Sequence, residues 1–319
     1  MVFATLVAED DGISPVDSHH DARMVRASVP EADALIGVRH PVLSHGFVTL
    51  VDYMGDDRAI VQAARVSYGL GTKSTRSDRA LIRYLMRHHH TTPFEMVEFK
   101  FLVRLPIYVA RQWIRHRTAS VNEASARYSI VPDEYEVPPA ESVRAQSRTN
   151  RQGRSEEPMD PDQVARYRQE LKDVSDEAYA KYDGFLNLGV AREIARVVLP
   201  VGFYTEWYWK INLHNLFHFL KLRLDAHAQL EIREYSKVLG QIARAVAPVA
   251  YEAFEEFDLN AERFSQSERR ALAWALTGMG DQEACQKAGL PLTRPDGKPM
   301  TTGEGVEFLE KLARLRALR

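Results

Sequence analysis

The chain has 319 residues, 45 % apolar and 27 % charged, with 42 Lys+Arg against 44 Asp+Glu, a composition expected of a soluble globular protein of one or two domains. A net charge of −2 leaves no basic footprint for nucleic acid, and no apolar run reaches the roughly 18 residues of a membrane span. Cys285 is the single cysteine, which excludes an intrachain disulfide, a four-cysteine zinc site and a CxxC redox pair. With no basic-flanked signal segment at the start, the expected compartment is the cytoplasm.

Residues 1–45 show no sustained period and are read as an N-terminal extension, partly ordered at best. Regular structure is expected from Gly46: a strand over Phe47–Tyr53, then a helix capped by Asp56 or Asp57 and running to about Ser67, with Ile60, Ala63, Ala64 and also Val61 inward. A loop follows at 69–77. Asp78 opens a helix with Leu81, Ile82, Leu85 and Met86 on one side, ending near His88-His89-His90. Val97, Phe99, Phe101, Val103 and Leu105 alternate with polar residues, which gives a strand with one apolar face. Pro106 ends it and starts a helix from Ile107 to about Arg117.

The polar stretch 140–159 reads as a mobile surface loop. Asp160-Pro161 then begins a long helix, whose stripe of Val164, Tyr167, Leu171, Val174, Ala178, Tyr182 and Phe185 runs to a terminator at Gly189. Ala191–Leu199 reads as a helix, and Phe203–Ile211 as a strand by its alternation. Helices are expected at Leu213–Leu224 and from Ala226 to about Val246. Beyond Asp258, Ser265 and Glu268 can form a capping box before Ala271–Leu276. Pro291, Pro295 and Gly297 mark a turn region, and Gly303–Leu318 is an amphipathic helix. The expected division is an extension at 1–45, a catalytic domain at 46–257 and a helical extension at 258–319.

The densest chemistry lies at Arg111-Gln112-Trp113-Ile114-Arg115-His116-Arg117, followed by Thr118–Ala124 and Ser125-Ala126-Arg127-Tyr128. From Leu81 to Arg127 there are eight Lys+Arg and three Asp+Glu, a positive excess in a net-negative chain. Guanidinium forks suit phosphate oxygens because they donate paired, charge-assisted hydrogen bonds. The same spacing also suits a solvated, ion-paired face.

Arg115-His116-Arg117, seven further residues and Ser125 resemble the RHRx7S signature of flavin-dependent thymidylate synthases. Gly46-Phe47-Val48 with Leu50-Val51-Asp52, Ala64-Arg65-Val66-Ser67-Tyr68, Thr92-Pro93-Phe94-Glu95, Asn122-Glu123, Ala195-Arg196 with Leu199-Pro200, and Leu222-Arg223 with His227-Ala228-Gln229 resemble the same family in the same order, over about residues 46–255. Several ordered blocks are far more specific than one short motif. The resemblance implies an α+β fold, a core of long helices around a small, mostly antiparallel sheet. It implies conversion of dUMP to dTMP with FAD, NADPH and methylenetetrahydrofolate, in a homotetramer whose active sites draw on several subunits, with no nucleic-acid or membrane partner.

By that resemblance Thr92, Arg115, His116, Arg117, Thr118, Glu123, Asn212, Leu213, His214 and His218 are the FAD contacts. Gln112, Arg115, Glu123, Ala124, Ser125, Ala126, Arg127, Arg196 and Arg223 form the dUMP set, with Arg127 and Arg196 on the phosphate. Arg223 would sit against the pyrimidine, where a cation stabilises charge developing on the ring, and is the catalytic residue. His90 falls near the folate and flavin. His214 and His218 also read as a polar stripe on an amphipathic helix. No metal site is expected, since three consecutive histidines on a helix point in different directions and no HEXXH is present. No protein nucleophile is expected either, because Cys285 lies outside the matched region and the hydride comes from reduced flavin.

Overall fold

The computed structural model describes residues 28–66, 77–148, 152–294, 296–301 and 303–317. Among them the chain forms a short helix α1 (Pro30–Asp33), strands β1 (Arg39–Val42) and β2 (Gly46–Met54), helices α2 (Asp57–Arg65) and α3 (Asp78–Arg87), strand β3 (Glu98–Pro106), helix α4 (Ile107–Trp113) and strand β4 (Ser120–Glu123). A hairpin of β5 (Arg144–Gln146) and β6 (Arg154–Pro158) follows, then helices α5 (Pro161–Asn187) and α6 (Arg192–Ala195), strand β7 (Tyr204–Asn212) and helices α7 (Leu213–Arg223), α8 (Leu230–Val246) and α9 (Pro248–Phe254). The chain ends with α10 (Gln266–Leu276), α11 (Asp281–Lys287) and α12 (Glu304–Ala317). Two compact units result: one takes the residues up to Val137 and Glu170–Asp258, the other Pro138–Gln169 and Leu259 onward.

The first unit is built on a five-stranded sheet in the order β1-β2-β3-β7-β4, antiparallel at every pairing. Period-2 alternation puts one row of large apolar residues on one face. Phe99 lies opposite Ile211, Phe101 opposite Trp209 and Val103 opposite Trp207, and all six side chains are buried. Trp113 at the end of α4 closes over this row, its ring 5.0 Å from Trp209, 5.7 Å from Trp207 and 4.8 Å from Phe219 of α7. Each fully buried side chain of this size stabilises the fold by about 2–3 kcal/mol. Helix α8 buries Ile232, Tyr235, Leu239, Ile242 and Val246. The Tyr235 hydroxyl donates to the Arg104 carbonyl at 2.8 Å. It does so directly over Gly46, where a Cβ would stand 2.0 Å from that hydroxyl, so only glycine fits there.

The second unit has its own core of Ala271, Ala284, Cys285, Leu290, Phe308 and Leu312. The capping box of Ser265 and Glu268 forms at the start of α10, and the buried Glu268 carboxylate also accepts from Lys311 of α12 at 2.7 Å. Its pKa lies below the ordinary value: burial raises it, but the bonds from Lys311 and Ser265 lower it by more.

Several segments differ from the sequence reading. Order begins before Gly46: β1 pairs with β2 and Ala32 is fully buried, because Pro41 and the turn at 43–45 obscure a four-residue edge strand. The expected surface loop at 140–159 contains the β5–β6 hairpin, whose polar residues meet water on both faces. Helix α4 stops at Trp113 rather than near Arg117; its last turn tightens through His116 N–H to Trp113 C=O at 3.0 Å. Helix α8 starts at Leu230 rather than Ala226. In α2 Ile60 and Val61 are buried as expected, while Ala63 and Ala64 are only half-covered. On α5 only Val164 and Tyr182 of the expected stripe are buried, while Tyr167 and Val174 are exposed. Strand β4 and helices α9 and α11 carry no period long enough to announce them. The expected loop at 69–77 lies outside the described residues apart from Ser77, as do residues 1–27, Ser67, Tyr68, Pro295 and Leu318.

Candidate active site

The end of α4 and the end of α7 meet, because both helices pack on the tryptophan row. There the Arg223 guanidinium donates from Nε to His116 Nε2 at 3.0 Å and reaches the Gln112 carbonyl at 3.5 Å. The Gln112 amide donates to the Gln229 side-chain oxygen. His116 lies edge-on to Phe219 at 4.8 Å and to His218 at 6.0 Å. Burial, then Arg223, then His218, push its pKa from 6.5 down to about 4. The ring is therefore neutral near pH 7, and accepting through Nε2 leaves its proton on Nδ1. Burial also lowers Arg223, which stays a cation. His214, one turn before His218, is lowered mainly by burial, with Glu95 opposing.

Arg115 and Arg117 lie beyond the helix, exposed, and make no ion pair among the described residues. Thr92 begins a 3-10 turn, and Thr118 is exposed. Asn212 caps α7, accepting from the Asn215 backbone N–H at 2.9 Å. The Leu213 side chain is fully buried and its N–H bonds the Val97 carbonyl at 2.8 Å. His90 closes α3. His89 sits at φ 57°, and the His90 N–H bonds Leu85 C=O at 2.9 Å, a Schellman end with histidine where glycine is usual. The His88 and His90 rings both lie against Tyr84, at 4.4 and 5.8 Å. Among the described residues no three His, Cys, Asp or Glu are grouped to hold a metal ion.

A second group stands elsewhere on the sheet. Glu123, at the end of β4, accepts from the Thr205 hydroxyl at 2.7 Å, and the Ala124 N–H bonds Glu206 C=O at 2.8 Å. Ser125, Ala126 and Arg127 follow, the Arg127 N–H reaching Ser125 Oγ at 3.4 Å. Arg127 Nε donates to Glu193 of α6 at 3.0 Å. Arg196 follows Glu193 by one turn, half-buried and without an ion pair among the described residues. These groups are anchored at Thr205–Glu206 of β7. Among the described residues no hydrogen bond or ion pair joins them to Gln112, His116 or Arg223.

Sequence reasoning misses Gln229 as the partner of Gln112, and Glu193 as the partner of Arg127. Gln229 lies inside a block that resembles the family, and Glu193 two residues before one. A cavity of about 290 Å³ is bordered by Asp133, Glu134, Asp176 and Lys172 and by none of the expected site residues. Its three carboxylates make it a poor receptor for phosphate.

The sequence model of the family described as thymidylate synthase complementing protein matches residues 49–249. Among similar proteins, the flavin-dependent thymidylate synthase of Wolbachia pipientis is 56 % identical over 76 % of this chain and 85 % of its own length. That of Thermus thermophilus is 55 % identical over 78 % and 90 %. Among solved structures, the UMP/dUMP methylase PolB of Streptomyces cacaoi, bound with 5-Br UMP, superposes with a TM-score of 0.62 at 37 % identity. It covers 69 % of this chain and 98 % of PolB.

Proposed function

This chain belongs to the flavin-dependent thymidylate synthases, and from that premise we propose that it methylates dUMP reductively to dTMP, with FAD as the flavin, NADPH as its reductant and 5,10-methylenetetrahydrofolate as the one-carbon donor. The observation that carries the reading is the Arg223–His116 contact. It joins the residue matching the family's pyrimidine arginine to the middle of the flavin signature, and His116 is held neutral so that both sit together without repulsion.

The donor set suits a flavin dinucleotide: free guanidiniums at Arg115 and Arg117 for a pyrophosphate, an oriented imidazole at His116, and an apolar wall at Phe219. Bound and reduced, FAD supplies the hydride. The protein's part is orientation and charge. Arg127 and Arg196 would neutralise the dUMP phosphate, with Ser125 adding a hydrogen bond. Arg223, fixed through Nε by His116, has its terminal nitrogens to place against the pyrimidine, where they stabilise negative charge as the ring reacts. Cys285 has no part in that chemistry. It is fully buried in the core of the second unit, and burial raises its thiol pKa, which suppresses the nucleophilic thiolate.

The expected dUMP set forms two groups with no bond between them among the described residues. A site shared between copies would bring Gln112 and Arg223 of one to Arg127 and Arg196 of another, as in the proposed homotetramer. Ile194, Val197 and Val201 are exposed beside Arg196, an apolar surface of the kind buried between subunits.

The test is an anaerobic incubation of flavin-stripped enzyme with dUMP, NADPH and methylenetetrahydrofolate. dTMP by mass should form only when FAD is restored, and sedimentation should give four chains. Absence of product with FAD bound and reduced refutes the proposed reaction. A parallel incubation with UMP addresses the second substrate named for PolB.

A further inference from the structure

Arg127 meets an anion before any nucleotide arrives. Its Nε donates to Glu193 at 3.0 Å, and both side chains remain about half exposed, at 57 and 50 %. The two terminal nitrogens of Arg127 have no partner among the described residues, so the carboxylate takes one of the three faces that a phosphate would use. Glu193 stands in the first turn of α6, one turn before Arg196. It therefore holds one of the two guanidiniums assigned to the phosphate and stands one turn from the other.

We propose that Glu193 is an internal counter-anion of the phosphate site, holding Arg127 when the site is empty and giving way to a dianionic phosphate monoester. The proposal rests on the assignment of Arg127 to the dUMP phosphate. Exchange is physically easy. An exposed ion pair of this kind contributes little in water, and a bidentate, doubly charged ligand outcompetes a single carboxylate bond. The carboxylate cannot stay beside the phosphate, because two anions in contact repel, and its exposure lets it turn to solvent. The scaffold does not depend on it: Arg192 Nη1 independently bonds the Tyr128 carbonyl at 2.7 Å, tying α6 to the 125–128 segment. Glu193 thus sets the affinity for the phosphate without building the site. A neutral nucleoside has no phosphate to displace it, and its binding is indifferent to Glu193.

The decisive variant is Glu193→Gln in the FAD-loaded enzyme, with Glu193→Ala as a second version. Calorimetry would compare dUMP with deoxyuridine, which lacks the phosphate. Loss of the competing charge should tighten dUMP binding about two- to fivefold, the range of one exposed ion pair, and leave deoxyuridine unchanged. Weaker dUMP binding in both variants would overturn the proposal by making Glu193 a support that orients Arg127. Equal tightening of dUMP and deoxyuridine would overturn it as well. Arg127→Ala separates the two layers. If it weakens dUMP binding while Glu193→Gln has no effect, the counter-anion role fails and the phosphate site stands. If Arg127→Ala leaves dUMP affinity unchanged, the phosphate assignment itself falls and the counter-anion with it.

Discussion

In flavin-free protein, stability should track the charge on His116, and burial, reinforced by the contact with Arg223, fixes the sign. The folded ring has its pKa pushed down from 6.5 to about 4, so between those values the unfolded chain binds more protons than the folded one. Stability therefore falls as pH drops through that window and levels off below it. At about 1.4 kcal/mol per tenfold change, the gap caps the effect at about 3 kcal/mol. The ring is only half-buried, and screening reduces this to ~1–2 kcal/mol. For a domain of this size that is about 2–8 °C in melting temperature. Thermal melts of wild type and His116→Asn from pH 4 to 7.5 isolate the effect, because the carboxylates titrating nearby are common to both. Asparagine can still accept from Arg223 through its amide oxygen but cannot be protonated. The two melting curves should converge toward low pH, wild type losing its advantage between pH 6.5 and 4. A constant offset across the range would show that the folded site, through burial and Arg223, does not hold His116 neutral.

Gly46→Ala should destabilise by about 3–5 kcal/mol, combining overpacking with loss of the buried Tyr235–Arg104 bond. Tyr235→Phe in the same chain should restore part of it in urea titrations, since the Val42 and Arg104 carbonyls still crowd the new methyl group at 2.6 and 2.8 Å. His89→Gly relieves a left-handed histidine and should stabilise by about 1 kcal/mol. A melt showing no gain would mean that the His89 ring contributes as much as its backbone costs. Arg223→Ala should lower kcat with dUMP affinity nearly kept, whereas Arg127→Ala should mainly weaken dUMP binding. Identical effects of the two in steady-state and binding assays would contradict their separate roles.

The sheet is legible because its strands follow a strict two-residue period: Phe99–Leu105 and Phe203–Ile211 meet as the alternation implies. The capping box at Ser265 and Glu268 is legible because both halves are local. What escapes is tertiary. The helical spacing of Arg111 and Arg115 carries α4 through Arg117, but packing of Trp113 on Trp209 ends the regular turns earlier. Tyr167 and Val174 follow the helical period of α5 without being buried, since amphipathicity says which face is apolar and not what covers it. The candidate site residues are named by the family signature. Their partners are not: the bonds Gln112–Gln229 and Arg127–Glu193 span 117 and 66 positions, and no local pattern encodes them.

Both margins of the five-stranded sheet are brief. β1 and β4 have four residues each, and β1 carries Pro41, which has no N–H to offer a further strand. Such margins give another chain too little ladder for edge-to-edge growth. The sheet therefore resists the open-ended strand addition that leads to fibres.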